Sequence, residues 1–111
     1  MTTLGPDGIE YPTIVIEGSR ALARRDYNRF EELLENGLDI NSRGPYYNSF
    51  IIIPVSNYNI TSVRFLLENG INPNTSDING LTPLDYLYRL PSMSILTDNE
   101  LRRLNTIQIM L

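Results

Sequence analysis

A nine-residue string recurs, imperfectly, 33 positions further along the chain. Residues 33–41 read Leu-Leu-Glu-Asn-Gly-Leu-Asp-Ile-Asn, and residues 66–74 read Leu-Leu-Glu-Asn-Gly-Ile-Asn-Pro-Asn, with six of nine positions identical. A fixed period of this length implies a supersecondary unit that buries its apolar face by stacking on the next unit. Each copy makes local sense. Leu-Leu closes an amphipathic helix, and Gly37 or Gly70 falls just past its end, where a left-handed C-cap is required. Leu38, Ile40 and Ile71 return apolar groups to the core. Asn41 and Asn74 suit the turn into the next copy.

A third copy carries the other half of the pattern, Asp77-Ile78-Asn79-Gly80-Leu81-Thr82-Pro83-Leu84-Asp85. Asn79-Gly80 reads as a tight hairpin turn, since both residues tolerate positive φ. Thr82 is the expected N-cap and Pro83 the first helical residue, where its missing N–H is harmless. From about residue 16 onward the chain resembles the ankyrin-repeat family, through this D-x-x-G-x-T-P-L string and the 33-residue period. It departs at Asp85, where the family usually has His; a carboxylate accepts hydrogen bonds there but does not donate them. The resemblance implies an all-α fold, an ankyrin-repeat solenoid of about three helix-turn-helix repeats with short hairpin loops. All of 1–111 then forms one domain, with an N-terminal segment at 1–15, repeat 1 at 16–43, repeat 2 at 44–76, and repeat 3 with a C-terminal cap at 77–111.

The period sets expectations for each copy. In the first, helices are expected over 18–24 and 27–36, with Ala21, Leu22, Tyr27, Phe30, Leu33 and Leu34 as the apolar stripe. Residues 1–15 read as a loop around Pro6, Gly8 and Pro12, with Thr13 to Ile16 covering the first repeat. In the second copy, helices are expected over 50–57 and 60–69. Tyr47 stands where the hairpin glycine should be, so the tight turn of the third copy is not expected there. Pro54 falls inside the first helix and should kink or shorten it. At the C-terminus Thr97 and Glu100 form a capping-box pattern. Leu101, Leu104, Gln108 and Leu111 then line one face of a helix delayed by the 89–96 insertion.

Composition removes most chemistry. All nine bases are Arg, and Lys, His, Cys and Trp are absent. There is therefore no thiol nucleophile, Ser–His pair, disulfide, Cys/His zinc site or P-loop lysine. Thirteen acids against nine bases give a net charge of -4, a poor basis for binding nucleic acid or anionic lipid. No carboxylate cluster argues for catalysis, so no catalytic residue, metal site or cofactor is assigned. No apolar run is long enough to span a bilayer, and the N-terminus lacks the pattern of a secretion signal. A cytoplasmic chain, monomeric when free, is expected.

The resemblance implies a protein partner docked on the hairpin tips and the concave side of the first helices. Carried over by position, the candidates are Pro45, Tyr46, Tyr47 and Asn48 in copy two, and Ile78, Asn79 and Leu81 in copy three. Ser56, Asn57, Arg89 and Leu90 lie along the first-helix edges. Two adjacent tyrosines at a tip are the strongest of these, because Tyr offers large, stiff, amphipathic contact area. The 89–96 insertion is a second candidate. Glu31, Glu32, Glu35 and Asp39 read as a solvated face, or alternatively as an acidic patch for a basic partner. The function expected by family analogy is non-catalytic: an immunity protein that binds and inhibits a cognate bacterial toxin, with a basic toxin domain as the candidate partner. The alternative is a viral or bacterial effector that binds a host protein.

Overall fold

The computed structural model describes residues 1–89 and 97–111, and for Arg89 the backbone alone. The element order is β1 (Thr2–Leu4), β2 (Glu10–Pro12), α1 (Thr13–Ala23), α2 (Tyr27–Glu35), α3 (Ile52–Ser56), α4 (Ile60–Glu68), α5 (Pro83–Arg89) and α6 (Asp98–Met110). A short 3-10 turn at Pro45–Tyr47 precedes α3. The helices pack in consecutive pairs, α1 on α2, α3 on α4 and α5 on α6, and the second pair packs on the third through α3–α5 and α4–α6. The body measures 46 × 28 × 22 Å. The fold is mostly helical and ankyrin-like.

The repeat is visible in the backbone hydrogen bonds. At the end of α2 the N–H of Gly37 donates to Leu34 O and that of Leu38 to Leu33 O; at the end of α4 Gly70 donates to Leu67 O and Ile71 to Leu66 O. Both glycines are left-handed, with φ of 104° and 87°, and each closes the expected C-cap. The turns inside the first two pairs also match. Arg25 and Tyr58 donate to Leu22 O and Val55 O, while Asp26 and Asn59 donate to Ala21 O and Pro54 O. Asp26 and Asn59 then cap α2 and α4 through their side chains. Here non-glycine residues take the left-handed position, Arg25 at φ 57° and Tyr58 at φ 54°.

One apolar core runs through all three pairs. Phe30, Ile51, Val55, Val63, Leu66, Leu87 and Ile107 are buried in it. The first pair is keyed to the second by rings: Phe30 meets Phe50 edge-on at 5.2 Å and Phe65 at 5.7 Å, and Tyr27 leans on Phe65 at 4.9 Å. Gly18 lies in mid-helix for the same reason. A Cβ there would stand 2.9 Å from Leu38 Cδ2 and 3.1 Å from Phe50 Cζ.

Several expectations need correction. The chain is mostly helical, as expected, but residues 1–15 are not a plain loop: β1 and β2 pair antiparallel, with Thr3 opposite Tyr11. The first helix starts at Thr13 rather than 18, since Val15 and Ile16 continue the buried stripe of Ala21 and Leu22. In copy two the first helix is shortened, as Pro54 suggested, to Ile52–Ser56. Pro54 lies within its first turn, where no intrahelical donor is lost. The tight turn nevertheless forms in copy two. Gly44 donates to Asn48 O and Tyr47 to Gly44 O, matching Asp77 to Leu81 O and Gly80 to Asp77 O 33 residues later. Tyr47 takes the place of Gly80 by adopting φ 60° itself. Asn79, expected at positive φ, is not among the left-handed residues. The capping box at Thr97 and Glu100 is present, and α6 buries Leu104 and Ile107.

Nothing lies within 4 Å of a Cβ built on Gly70. Gly70→Ala therefore tests backbone strain alone. Urea denaturation should show a loss of about 1–2 kcal/mol, with the denaturant slope unchanged.

Candidate functional site

The tip of copy two is strained. Tyr46 has φ 59° and ψ 23° and Tyr47 has φ 60°, a region that disfavours non-glycine residues by about 1–2 kcal/mol each. Three neighbours hold it. From the N-terminal hairpin, Asp7 Oδ2 accepts the N–H of Tyr46 at 3.1 Å. From the preceding loop, the Arg43 guanidinium donates to Tyr47 O at 2.9 Å, donates to Ser76 O, and stacks 4.4 Å from the centre of the Tyr47 ring. From the next tip, Ile78 donates its N–H to Tyr46 O at 3.2 Å. Both tyrosine side chains stay half-exposed, Tyr46 at 50% and Tyr47 at 54%.

Behind Tyr46 opens a groove of about 380 Å³. Its near wall is Ser19, Leu22 and Ala23 of α1, with Arg25 just past the helix end and Pro6 from the hairpin. Gly44, Pro45, Tyr46, Asn48, Ser49 and Phe50 form the tip and floor. Ile53, Pro54 and Asn57, with Asn59 beyond, make the far wall. Most of this surface is apolar. Two buried polar atoms of the lining, Asn48 Oδ1 and Ser49 Oγ, have no hydrogen-bond partner among the described residues. Each such orphan costs about 1–3 kcal/mol.

Of the residues expected at a partner site, the groove brings together Pro45, Tyr46, Asn48 and Asn57. Tyr47 stands beside it on Arg43. Ile78 and Asn79 are exposed at the third tip and Leu81 is half-buried there; none of the three lines the groove. Ser56 is occupied within its helix, its hydroxyl donating to Ile52 O at 2.7 Å. Leu90 and the insertion through residue 96 lie outside the described residues, as does the Arg89 side chain.

Ala23, Arg25, Ile53, Arg43 and Asp7 are among the residues that pattern reading missed. Ile53 had a signal: four successive apolar residues, Phe50 to Ile53, cannot all face inward on a helix, and Ile53 is 56% exposed. Asp7 had none, because its contact is 39 residues away.

The carboxylates have structural work. Asp77 Oδ1 accepts the N–H groups of Asn79 at 2.8 Å and Leu81 at 3.0 Å, and Tyr86 donates its hydroxyl to Oδ2. Asp85 Oδ2 accepts from Thr82 N at 2.9 Å, and Thr82 Oγ1 accepts from Asp85 N, so the residue in place of the family histidine closes a capping box. Glu31, Glu32 and Glu35 are exposed on α2, and Glu32 pairs with Arg29 at 2.6 Å in solvent, a contact of little energetic weight. Among the described residues no group of three or more acids is placed to hold a metal ion, and no helix is long and apolar enough to cross a membrane.

Paired helices, one strained tip and an apolar groove beside it define a helical repeat protein. Residues 57–87 match a family model described as ankyrin repeats (many copies), so this part of the chain, which holds α4 and most of α5, is similar to that family. Ankyrin repeats generally mediate protein–protein interaction. No curated protein matches the chain.

Asp7 gives the tip a pH dependence. Desolvation raises its pKa, but hydrogen bonds from the Tyr11 hydroxyl and the N–H groups of Tyr46 and Ile9 outweigh that, leaving it below the ordinary 3.8. The same contact pushes Tyr11 up to about 12. A carboxyl depressed by folding stabilises the folded chain fully above its ordinary pKa, and that contribution disappears as pH falls through the folded value. An NMR titration from about pH 5 to about pH 2 should therefore show the Tyr46 amide moving with the Asp7 carboxyl, at a midpoint below 3.8. Asp7→Asn should abolish that transition.

Proposed function

We propose that the protein is a non-catalytic binding module that acts by occupying its partner, as an immunity protein occupies a cognate toxin. Its three helical pairs form a short solenoid, with repeats at 16–43, 44–76 and 77–111, and the second tip with its groove is the docking surface. The observation that carries this reading is the tip itself. Two half-exposed tyrosines stand side by side in a backbone conformation held by Asp7, Arg43 and Ile78. A rigid aromatic tip gives up little freedom on binding, which is what a strong contact requires. Asp77 and Asp85 are engaged by backbone turns, which supports a role without catalysis.

The reading is tested with the native host. The chain is used to capture its partner, and the partner is then expressed alone and with the chain in a neutral bacterial strain. The partner should arrest growth alone, and co-expression should restore it. A captured partner that is harmless alone would remove the toxin from the reading and leave the binding. The variant Tyr46→Ala/Tyr47→Ala should weaken the complex by about 2–4 kcal/mol, the range of an aromatic hot spot. Its own stability should change by less than about 1 kcal/mol, since both rings are half-exposed.

A further inference from the structure

Three of the nine arginines fall together. Arg20, Arg24 and Arg25 are exposed at the C-terminal end of α1, and their side chains make no ion pair or hydrogen bond among the described residues. Arg25 lines the groove; Arg20 and Arg24, an i,i+4 pair, share the neighbouring face of α1 and do not line it. The groove lining contains no carboxylate. Asp7 and Asp26, next in sequence to the lining residues Pro6 and Arg25, keep their charge but point it at hydrogen-bond donors, Asp7 at Tyr11 and Tyr46, and Asp26 at the N–H of Arg29. The remaining negative charge is spread over a body 46 × 28 × 22 Å. At physiological salt, charges beyond about 8 Å are largely screened.

We infer that this groove takes an acidic segment of a partner protein, an apolar side chain seated between Ala23 and Ile53, with one Asp or Glu beside it facing Arg25 and a further acid reaching Arg20 and Arg24 on the adjoining face of α1. This rests on the reading of the protein as a binding module and adds the chemistry of what it binds. The cavity, at about 380 Å³, is of a size to hold one or two side chains rather than a helix. A nucleic-acid occupant is disfavoured, because one apolar groove with three arginines on a chain of net charge -4 offers no continuous basic track.

The test is selection of random dodecapeptides displayed on phage against the full chain at physiological salt. Enriched peptides should carry a Leu, Ile, Met or Phe flanked by at least two acids. Fluorescence anisotropy on the best synthetic peptide should then show about a tenfold loss with Arg24→Glu/Arg25→Glu, and a similar loss with Ala23→Trp, which fills the groove. Circular dichroism checks that each variant is folded; Ala23 is exposed, so the substitution has room. Glu31→Gln/Glu32→Gln should leave affinity unchanged. Enrichment of basic peptides, no enrichment, binding untouched by Ala23→Trp, or tighter binding of a labelled single-stranded DNA would each overturn the inference. A captured partner that depends on Tyr46 and Tyr47 but ignores the groove variants would defeat this inference alone. Acidic peptides that bind, with no partner captured, would defeat the proposed function alone.

Discussion

Phe30 is where the first two helical pairs become one body. Its ring is fully buried and meets Phe50 and Phe65 at once, one from the first helix region and one from the second helix of the next copy. Tyr27 extends the contact, and its hydroxyl shares a 2.6 Å hydrogen bond with the buried Ser62. Such ring pairs contribute about 0.5–1.5 kcal/mol beyond their buried area. The groove depends on this junction, because its walls belong to different copies. Leu22 and Ala23 come from α1, Ile53 from α3 and Asn57 from its end, and the packing below sets their separation together with the bonds of Tyr27 to Ser62 and of Tyr46 to Asp7. Gly18 shows how tight that packing is, since the Phe50 ring occupies the space a side chain would need.

The tip above the junction is a balance of small terms. Two left-handed tyrosines cost about 1–2 kcal/mol each. Against that stand two backbone N–H bonds and one guanidinium bond, at about 1 kcal/mol each or somewhat more, and a cation–π contact of about 0.5–1 kcal/mol. The terms nearly cancel, so the tip is held without being strongly stabilised. The anchors come from the N-terminal hairpin, the preceding loop and the following tip. Arg43 does the most, joining Tyr47 to Ser76 and so tying copy two to copy three. A glycine at position 47 would fold there with less strain, but it would present nothing to a partner.

Local backbone chemistry is legible in the sequence. Gly37 and Gly70, Thr82 with Pro83, and Thr97 with Glu100 act within a few residues of themselves, so their roles follow from spacing. What is illegible acts across distance. Asp7 reaches a tip 39 residues away, and no pattern within its own segment marks it. The turn at Tyr47 misleads for the opposite reason. Propensity says a tyrosine should not sit at φ 60°, and tertiary contacts override it. The groove is illegible because it is made of gaps: Ala23 and Asn57 matter for the space they leave between copies.

The apolar groups on the surface show how far residue type alone can be read in a stacked fold. Ile51 and Val55 are completely buried, because α5 packs on α3. Their counterparts 33 residues later, Leu84 and Tyr88, are 40% and 57% exposed. These are equivalent positions with similar apolar character, and the difference lies only in whether a described helical pair covers them. Exposure of an apolar residue in copy three is therefore what any outermost copy shows, and it carries no functional meaning by itself. Tyr46 and Ile53 are different. Both belong to the middle copy, flanked on each side, where the repeat has every means of burying an apolar group and leaves these two in solvent. That asymmetry, rather than exposure as such, is the reason the second tip is the surface proposed for docking.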